Sequence, residues 1–207
     1  EIHERLVGSE MCIRDRLEKK MTGFRKASSE DIASVVSIYQ KIHEEERKGK
    51  LKIGWLPDVY PVENTARSAF ERQELFVFEE EGKVKASAII NQSQVDVYAD
   101  GTWRYPAKAE EVMVLHTLVV SPDEGRKGIG SKFVDFYETY AEARGCRVLR
   151  MDTNEKNAAA RSLYRKLGYR EAGAVPCVFN GIPNVNLILL EKGSVSYTHL
   201  RAHETLM

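Results

Sequence analysis

Gly125-Arg126-Lys127-Gly128-Ile129-Gly130 puts three glycines and two cations into one short turn. The residues before it, 112–120, are apolar and largely β-branched, broken only by His116 and Thr117, as expected of a buried strand. Ser121-Pro122-Asp123 ends that strand, because proline has no N–H to give to a ladder. After the turn, Phe133, Val134, Phe136, Tyr137, Tyr140 and Ala141 recur at helical spacing. A small-residue turn that feeds a helix start leaves several N–H groups without partners at the positive end of the helix dipole. That combination suits a phosphate, and Arg126 and Lys127 add charge at the same place. The order of the glycines excludes two common phosphate sites. A dinucleotide fingerprint needs a third glycine where Phe133 stands, and a P-loop needs Lys and then Ser or Thr where Gly130 is followed by Ser131-Lys132. What remains is either a different phosphate cradle or an ordinary strand-to-helix turn.

The elements that must position this turn can be read on both sides of it. Residues 24–27 form a short first strand, and Ser28 or Ser29 is placed to cap a helix with Asp31 in its first turn. Ile32, Val35, Val36, Ile38, Tyr39 and Ile42 make the apolar stripe of that helix, and a charged run carries it to Gly49. The loop 53–61 holds Trp55 and Tyr60 between Gly54, Pro57 and Pro61, so its aromatics either plug the fold or line a pocket. Asn64 or Thr65 is placed to cap a second helix over 66–72. Residues 75–78 and 84–91 read as a β-hairpin around Glu80-Glu81-Gly82-Lys83. Alternation over 94–98, then Asp100-Gly101, then 102–105, predicts an extra hairpin before the 112–120 strand. A strand over 147–152, a helix beginning at Asn157 and ending at Gly168, and two last strands around Asn180-Gly181 complete the chain. The order predicts a single α/β domain with a mixed central sheet flanked by helices.

The two ends read differently. Codons can be chosen for residues 3–16 whose reverse complement encodes residues 194–207 without a mismatch. Both segments resemble translated sequencing-adapter read-through, so 1–16 and 194–207 are expected to be non-native flanks around a domain of residues 21–193, with the native start near Met21. The full chain has 31 basic and 31 acidic residues, with no basic bias or stripe of the kind nucleic-acid binding needs. Between the flanks only Cys146 and Cys177 remain, without metal-ligand spacing, so no metal site is expected and a reducing, cytoplasmic setting is. No apolar run approaches a membrane span and no leader precedes Met21 in the expected reading. A domain of this length can bury a sizeable core.

The turn G-x-x-G-x-G between an apolar strand and a helix resembles motif A of the GNAT acyltransferases, with Gly125 where that family usually has Arg or Gln. Residues 157–169, NAAARSLYRKLGY, resemble the later motif N-x-x-A-x-x-L-Y-x-x-x-G-F/Y, and the two occur in the family's order. The resemblance covers 21–193 and implies a GNAT-like fold that moves acetyl from acetyl-CoA to a primary amine by direct attack in a ternary complex. It implies a pyrophosphate cradle from Arg126, Lys127, Gly128, Ile129, Gly130 and Ser131, and a pantetheine arm along Leu118, Val119 and Val120. It matches Asn157 to the family's asparagine contact with the coenzyme and Tyr164 to the tyrosine that protonates the departing thiolate. Tyr164 on sequence alone is equally an aromatic on the apolar face of a helix.

The base is less defined. Where many relatives carry a glutamate on the central strand, this chain has His116, either an imidazole able to take a proton near neutral pH or a core histidine bonded to backbone. Glu110 and Glu111 are second candidates, and otherwise a solvated strand end; Cys177 reads as a structural thiol. Trp55, Asp58 and Tyr60, with Asp96, Tyr98 and Trp103, could form an aromatic and acidic pocket for a cationic amine, small molecule or peptide. The competing reading is a coenzyme-A-binding or sensory module on the same fold without turnover. The oligomeric state is open.

Overall fold

The structure is a computed structural model and describes residues 22–125 and 127–193. The segments 1–16 and 194–207, expected to be non-native flanks, lie outside the described residues, and so does Arg126. The chain runs β1 (Phe24–Lys26), α1 (Asp31–Arg47), α2 (Glu63–Glu71), β2 (Leu75–Glu80), β3 (Lys83–Asn91), β4 (Val112–Val120), α3 (Ile129–Ala143), β5 (Val148–Asn154), α4 (Ala158–Lys166), β6 (Arg170–Phe179) and β7 (Ile182–Gly193). The strands form one sheet in the order β1-β2-β3-β4-β5-β7-β6. Only β4 and β5 run parallel; the other neighbours are antiparallel. That parallel pair needs a crossover, and α3 supplies it.

Alternate side chains of each strand supply the two faces of the sheet. One face buries Phe76, Met113, Leu149 and Met151 against Phe133, Phe136 and Tyr137 of α3 and Tyr164 of α4. The other packs Leu75, Val77, Ile89 and Val119 under Val35, Ile38 and Tyr39 of α1. Further along that face, Val112, Val114, Val148, Leu187 and Leu189 have no helix above them. Tyr98, Trp103 and Tyr105 cover them instead, carried by the segment between β3 and β4.

That segment corrects the expected hairpin over 94–105. It is a 3₁₀ turn, Asp96–Asp100, followed by an irregular strap. Gly101 has φ −75°, whereas the type I′ turn that Asp-Gly signals needs positive φ at both central residues. The strap's backbone groups find partners outside any ladder. Thr102 N–H donates to the Ala172 carbonyl at 2.7 Å, and the buried Glu191 carboxylate accepts from the N–H groups of Arg104 and Tyr105 at 2.6 and 3.3 Å. Trp103 Nε1 donates to the Tyr98 carbonyl at 2.7 Å and folds the strap back on its own turn.

Two helix starts also differ from expectation. Neither Ser28 nor Ser29 caps α1; the Asp31 carboxylate turns back to accept from Ser28 N–H and Oγ at 2.7 and 2.9 Å, and Arg25 grips the same carboxylate. The second helix starts earlier, at Glu63, because Thr65 Oγ1 accepts from Val62 N–H at 3.0 Å one turn ahead of the expected start. Among the described residues, no helix is long and apolar enough to cross a membrane.

Candidate active site

The pairing of β4 with β5 stops at Leu115↔Met151, although β4 continues to Val120 and β5 to Asn154. Each strand keeps its outer partner past that point: β4 stays on β3 through Ala86↔Val120, and β5 stays on β7 through Asn154↔Leu187. Beyond the last pair, the facing edges of His116–Val120 and Asp152–Asn154 no longer bond to each other. Where β4 leaves its partner it carries a bulge. Ser87 pairs Val119 and Ile89 pairs His116, so β4 holds one more residue than β3, and Thr117 takes the strain at φ +48°. The carboxyl ends of parallel strands that part in this way are where α/β sheets bind ligands.

A cavity of about 860 Å³ occupies this opening. Leu118, Val119 and Val120 line it on the β4 side, and Asp152, Thr153 and Asn154 on the β5 side. The loop between α1 and α2 closes one end, held by α1: Glu46 accepts from Ile53 N–H at 2.9 Å, and His43 Nε2 contacts the Pro61 carbonyl at 2.9 Å. Trp55 and Tyr60 both reach the cavity from that loop and meet edge to face, with ring centroids 6.0 Å apart. The Tyr60 hydroxyl bonds the Thr117 hydroxyl on the bulge.

The glycine turn follows Val120, the last β4 residue on the cavity wall, and Lys127, Gly128, Ile129, Gly130 and Ser131 are not themselves part of that wall. Gly128 caps α3 in the left-handed region, at φ +73°, and a Cβ built on it would meet no atom within 4 Å. Glycine is thus required there by backbone conformation, and the space beside it is open to a ligand. Gly130 has a different job: a Cβ there would come within 3.3 Å of Leu163, so it lets α3 approach α4 closely. Ile129, the first residue of α3, is buried in the core, and Ser131 follows in the first turn. Lys127 is exposed and pairs with Glu124 at 3.1 Å. Asn157 lines the cavity and caps α4, its Oδ1 accepting from Ala160 N–H at 3.1 Å. The cap uses the oxygen and leaves the amide nitrogen for another partner. The open backbone at Gly128, the unpaired β4 edge and Asn157 fit a phosphate-bearing ligand whose amide-containing arm runs along a strand.

His116, Asp152 and Tyr164 are among the titratable side chains that line the cavity. His116 and Asp152 follow directly on the last paired residues of β4 and β5. His116 Nε2 faces two acceptors, Asn91 Oδ1 at 3.0 Å and the Ser93 carbonyl at 3.2 Å. Those partners assign the ring hydrogen to Nε2 and leave Nδ1 with its lone pair. Burial pushes the His116 pKa down to about 4, against the pull of the Ser93 carbonyl. Asp152 was overlooked in the sequence. Burial lifts its pKa to about 6, opposed by the Tyr98 hydroxyl, which donates to Oδ2 at 2.8 Å. Burial also raises the Tyr164 pKa, and the nearby Asp152 charge adds to the effect. The Tyr60 pKa is pushed up to about 12 by burial, with Asp152 contributing. At neutral pH the arrangement therefore offers a largely ionised carboxylate, a neutral imidazole and a protonated phenol around one space.

Other expected residues stand elsewhere. Tyr98 is not on the cavity wall; it is buried at 3% exposure behind Asp152, with its ring against Trp103. Asp58, Asp96 and Trp103 are likewise off the wall. Glu110 and Glu111 lie in a 3₁₀ turn at the opposite end of β4, where Glu111 pairs with Arg147. Cys177 is half-buried in β6 and its pKa is raised by burial, the opposite of what activates a thiol. Asp152 did have a signal: it is the one acidic residue of β5, and it sits at the carboxyl end of a parallel strand.

The split parallel pair, the cavity in its opening and the glycine turn that follows β4 define an α/β ligand-binding domain, and comparison with known proteins gives it a family. The acetyltransferase (GNAT) family profile matches residues 35–169, so the chain belongs to that family, whose acyl donor is acetyl-CoA. It is 24% identical over 153 residues to YhfO of Bacillus subtilis, an uncharacterized N-acetyltransferase, covering 71% of this chain and 89% of that one. It is 30% identical over 79 residues to an uncharacterized N-acetyltransferase of Methanocaldococcus jannaschii, a match that spans 38% of this chain and only 35% of that protein. A GNAT-family acetyltransferase of Streptococcus agalactiae shares the fold at a TM-score of 0.69 and 21% identity, over 82% of this chain and 94% of that one. The yncA protein of Salmonella typhimurium, solved with its cofactor acetyl-CoA, does so at 0.58 and 20% identity, over 82% and 92%.

Proposed function

We propose that this protein transfers acetyl from acetyl-CoA directly to a primary amine, with both substrates held in the one cavity. The observation that carries the reading is that Asp152 and Tyr164 line one cavity in the opening between β4 and β5, with the Gly128 turn following the cavity-lining end of β4. Gly128, Ser131 and Asn157, with Lys127 and Arg126, would hold the donor's phosphates, and the 118–120 edge would hold its amide arm.

The amine arrives as an ammonium, attracted by the Asp152 carboxylate. Asp152 takes the proton, and the freed nitrogen lone pair attacks the thioester carbonyl. A backbone N–H of the bulged β4 edge can meet the charge that develops on the carbonyl oxygen. The carbon–sulfur bond breaks, Tyr164 gives its hydroxyl proton to the departing sulfur, and the second proton that the nitrogen loses as it becomes the amide restores the Tyr164 hydroxyl. A carboxylate near pKa 6 is better matched to taking a proton at neutral pH than an imidazole near 4, so Asp152 has the stronger claim to be the base. His116 then holds the β3 end, through Asn91 and Ser93, beside the reacting groups. The two thiols without disulfide partners, Cys146 and Cys177, support a reducing compartment such as the cytoplasm.

The test is to incubate the protein with acetyl-CoA and a broad panel of amines while following free thiol. Thiol release that depends on an amine, and is lost in Asp152→Asn, is expected. Coenzyme binding without release for any amine would turn the reading into that of a sensory or binding module.

A further inference from the structure

We infer that the acceptor is a monoamine: one primary ammonium on an apolar or aromatic body, with no second positive charge. The inference rests on the transfer reading above and narrows it to a substrate class. Among the described residues that line the cavity, Asp152 is the only carboxylate. Tyr98 occupies its Oδ2 at 2.8 Å, so Oδ1 is the oxygen left to receive an ammonium. One buried carboxylate with one available oxygen can neutralise one cation.

The walls around Asp152 offer no second carboxylate to a second cation. Trp55, Tyr60, Phe179, Ile182 and Val185 line the cavity there and belong to one packed apolar cluster. Neighbouring elements press close around it. A Cβ on Gly54 would come within 2.5 Å of Asn154 Nδ2, and one on Gly181 within 3.1 Å of Val59, which brings the aromatic loop, the end of β5 and the β6–β7 turn together. An ammonium buried against such a wall without a partner loses its hydration and gains no compensating contact.

The remaining charges on the lining are positive: Lys50, Lys52, Arg72 and Lys156. Lys50 is paired with Glu45 at 3.1 Å and Arg72 with Glu74 at 2.8 Å. Lys52 and Lys156 have no ion pair among the described residues, and Lys52 sits on the same loop as Trp55 and Tyr60. The cavity thus pairs attraction for one ammonium with repulsion of any further one, and specificity against polyamines follows from that repulsive half. An aromatic or alkyl body instead gains from the apolar wall, with a cation–π contribution for the ammonium itself near Trp55 and Tyr60.

Pentylamine and cadaverine test this cleanly, because they differ by one terminal ammonium and cadaverine has two reactive ends in its favour. At low ionic strength, kcat/KM for pentylamine should exceed that for cadaverine by about tenfold, the size of effect two like charges roughly 12 Å apart produce near a protein surface. Phenethylamine should be at least as good as pentylamine, and spermidine poorer than cadaverine. Lys52→Glu should narrow the pentylamine-to-cadaverine ratio. Cadaverine or spermidine equal to or better than pentylamine would overturn the inference. Calorimetric binding of the same amines to the coenzyme-A complex separates the two claims. A monoamine preference in binding with no turnover would sink the transfer reading and keep the substrate class. Binding without that preference would sink the class, whatever the turnover.

Discussion

Asp152 carries opposite consequences for activity and stability, and both can be measured. Its pKa is raised to about 6 by burial, so between its ordinary value near 4 and that point the folded protein binds more protons than the unfolded chain. Stability from this group is therefore present at low pH and is lost as pH rises through about 6; at neutral pH the ionised carboxylate costs stability. Asp152→Asn keeps the shape and an oxygen for the Tyr98 hydroxyl, and it should stabilise the fold at pH 7 to 8 by about 1–2 kcal/mol, read from denaturant midpoints. The same change should lower turnover by about 10²–10⁴-fold and abolish the acidic limb of the pH–rate profile near 6. A variant that is no more stable and still shows the limb would return the base to His116. His116→Gln should leave that limb in place. Tyr164→Phe keeps the ring's packing against Tyr169 and removes only the hydroxyl. Its turnover should fall by about 10²–10⁴-fold with acetyl-CoA affinity nearly unchanged, provided chemistry limits the rate. A sulfur that leaves unaided would show as a Tyr164→Phe rate close to the parent's.

The strap and the glycine turn act as elements, each through one residue. Tyr98 stands on the 3₁₀ turn, Trp103 folds onto its carbonyl, and the buried Glu191, itself paired with Arg170 at 2.6 Å, holds the next two N–H groups. The strap thus fixes the hydroxyl that lowers the Asp152 pKa. Tyr98→Phe removes that hydrogen bond, so the acidic limb should move to higher pH, together with the titration of the Asp152 carboxyl carbon followed by NMR. Loss of thermal stability with an unmoved limb would make Tyr98 a packing residue only. Gly128→Ala tests the turn. Positive φ costs alanine about 1–2 kcal/mol of stability, and because no atom of the described residues lies within 4 Å of the added methyl, a loss of coenzyme affinity reports the ligand. Acetyl-CoA affinity should fall by about 1–3 kcal/mol, and full affinity in a folded variant would remove this helix start as the phosphate site. These two elements also mark what the sequence could reveal. β4, α3 and α4 were legible because their apolar residues keep a local period and their glycines and Asn157 sit at local turns and caps. The strap was not: its alternation and Asp100-Gly101 imitate a hairpin, while its conformation is decided by Ala172, Glu191 and Asp152, far along the chain. Asp152 was hidden for the same reason, since its place beside His116 exists only once β4 and β5 are neighbours.

At the scale of the whole molecule, the opening divides one sheet into two parts that share only a short parallel seam, Val112–Leu115 against Val148–Met151. On one side β1, β2 and β3 pack beneath α1 and α2; on the other β7 and β6 pack beneath the strap. An isolated parallel pair is a weak joint, because its bonds are slanted and few, and α3 crosses from one part to the other. A donor that bonds the free edge of β4 and reaches Asn157 at the start of α4 adds contacts across the joint that the unfolded chain cannot make. Binding to the native state alone stabilises by about 2.7 kcal/mol at a hundred times Kd. For a domain of this size that amounts to a rise of about 5–10 °C in Tm. Acetyl-CoA should produce that rise in a thermal melt, and pantetheine at the same concentration should produce less, because it has the arm for the strand edge but lacks the phosphates for the Gly128 turn. Equal shifts from the two would move the donor's anchoring from the turn to the groove between the strands. No shift with millimolar acetyl-CoA would show that the divided sheet is not a donor site at all.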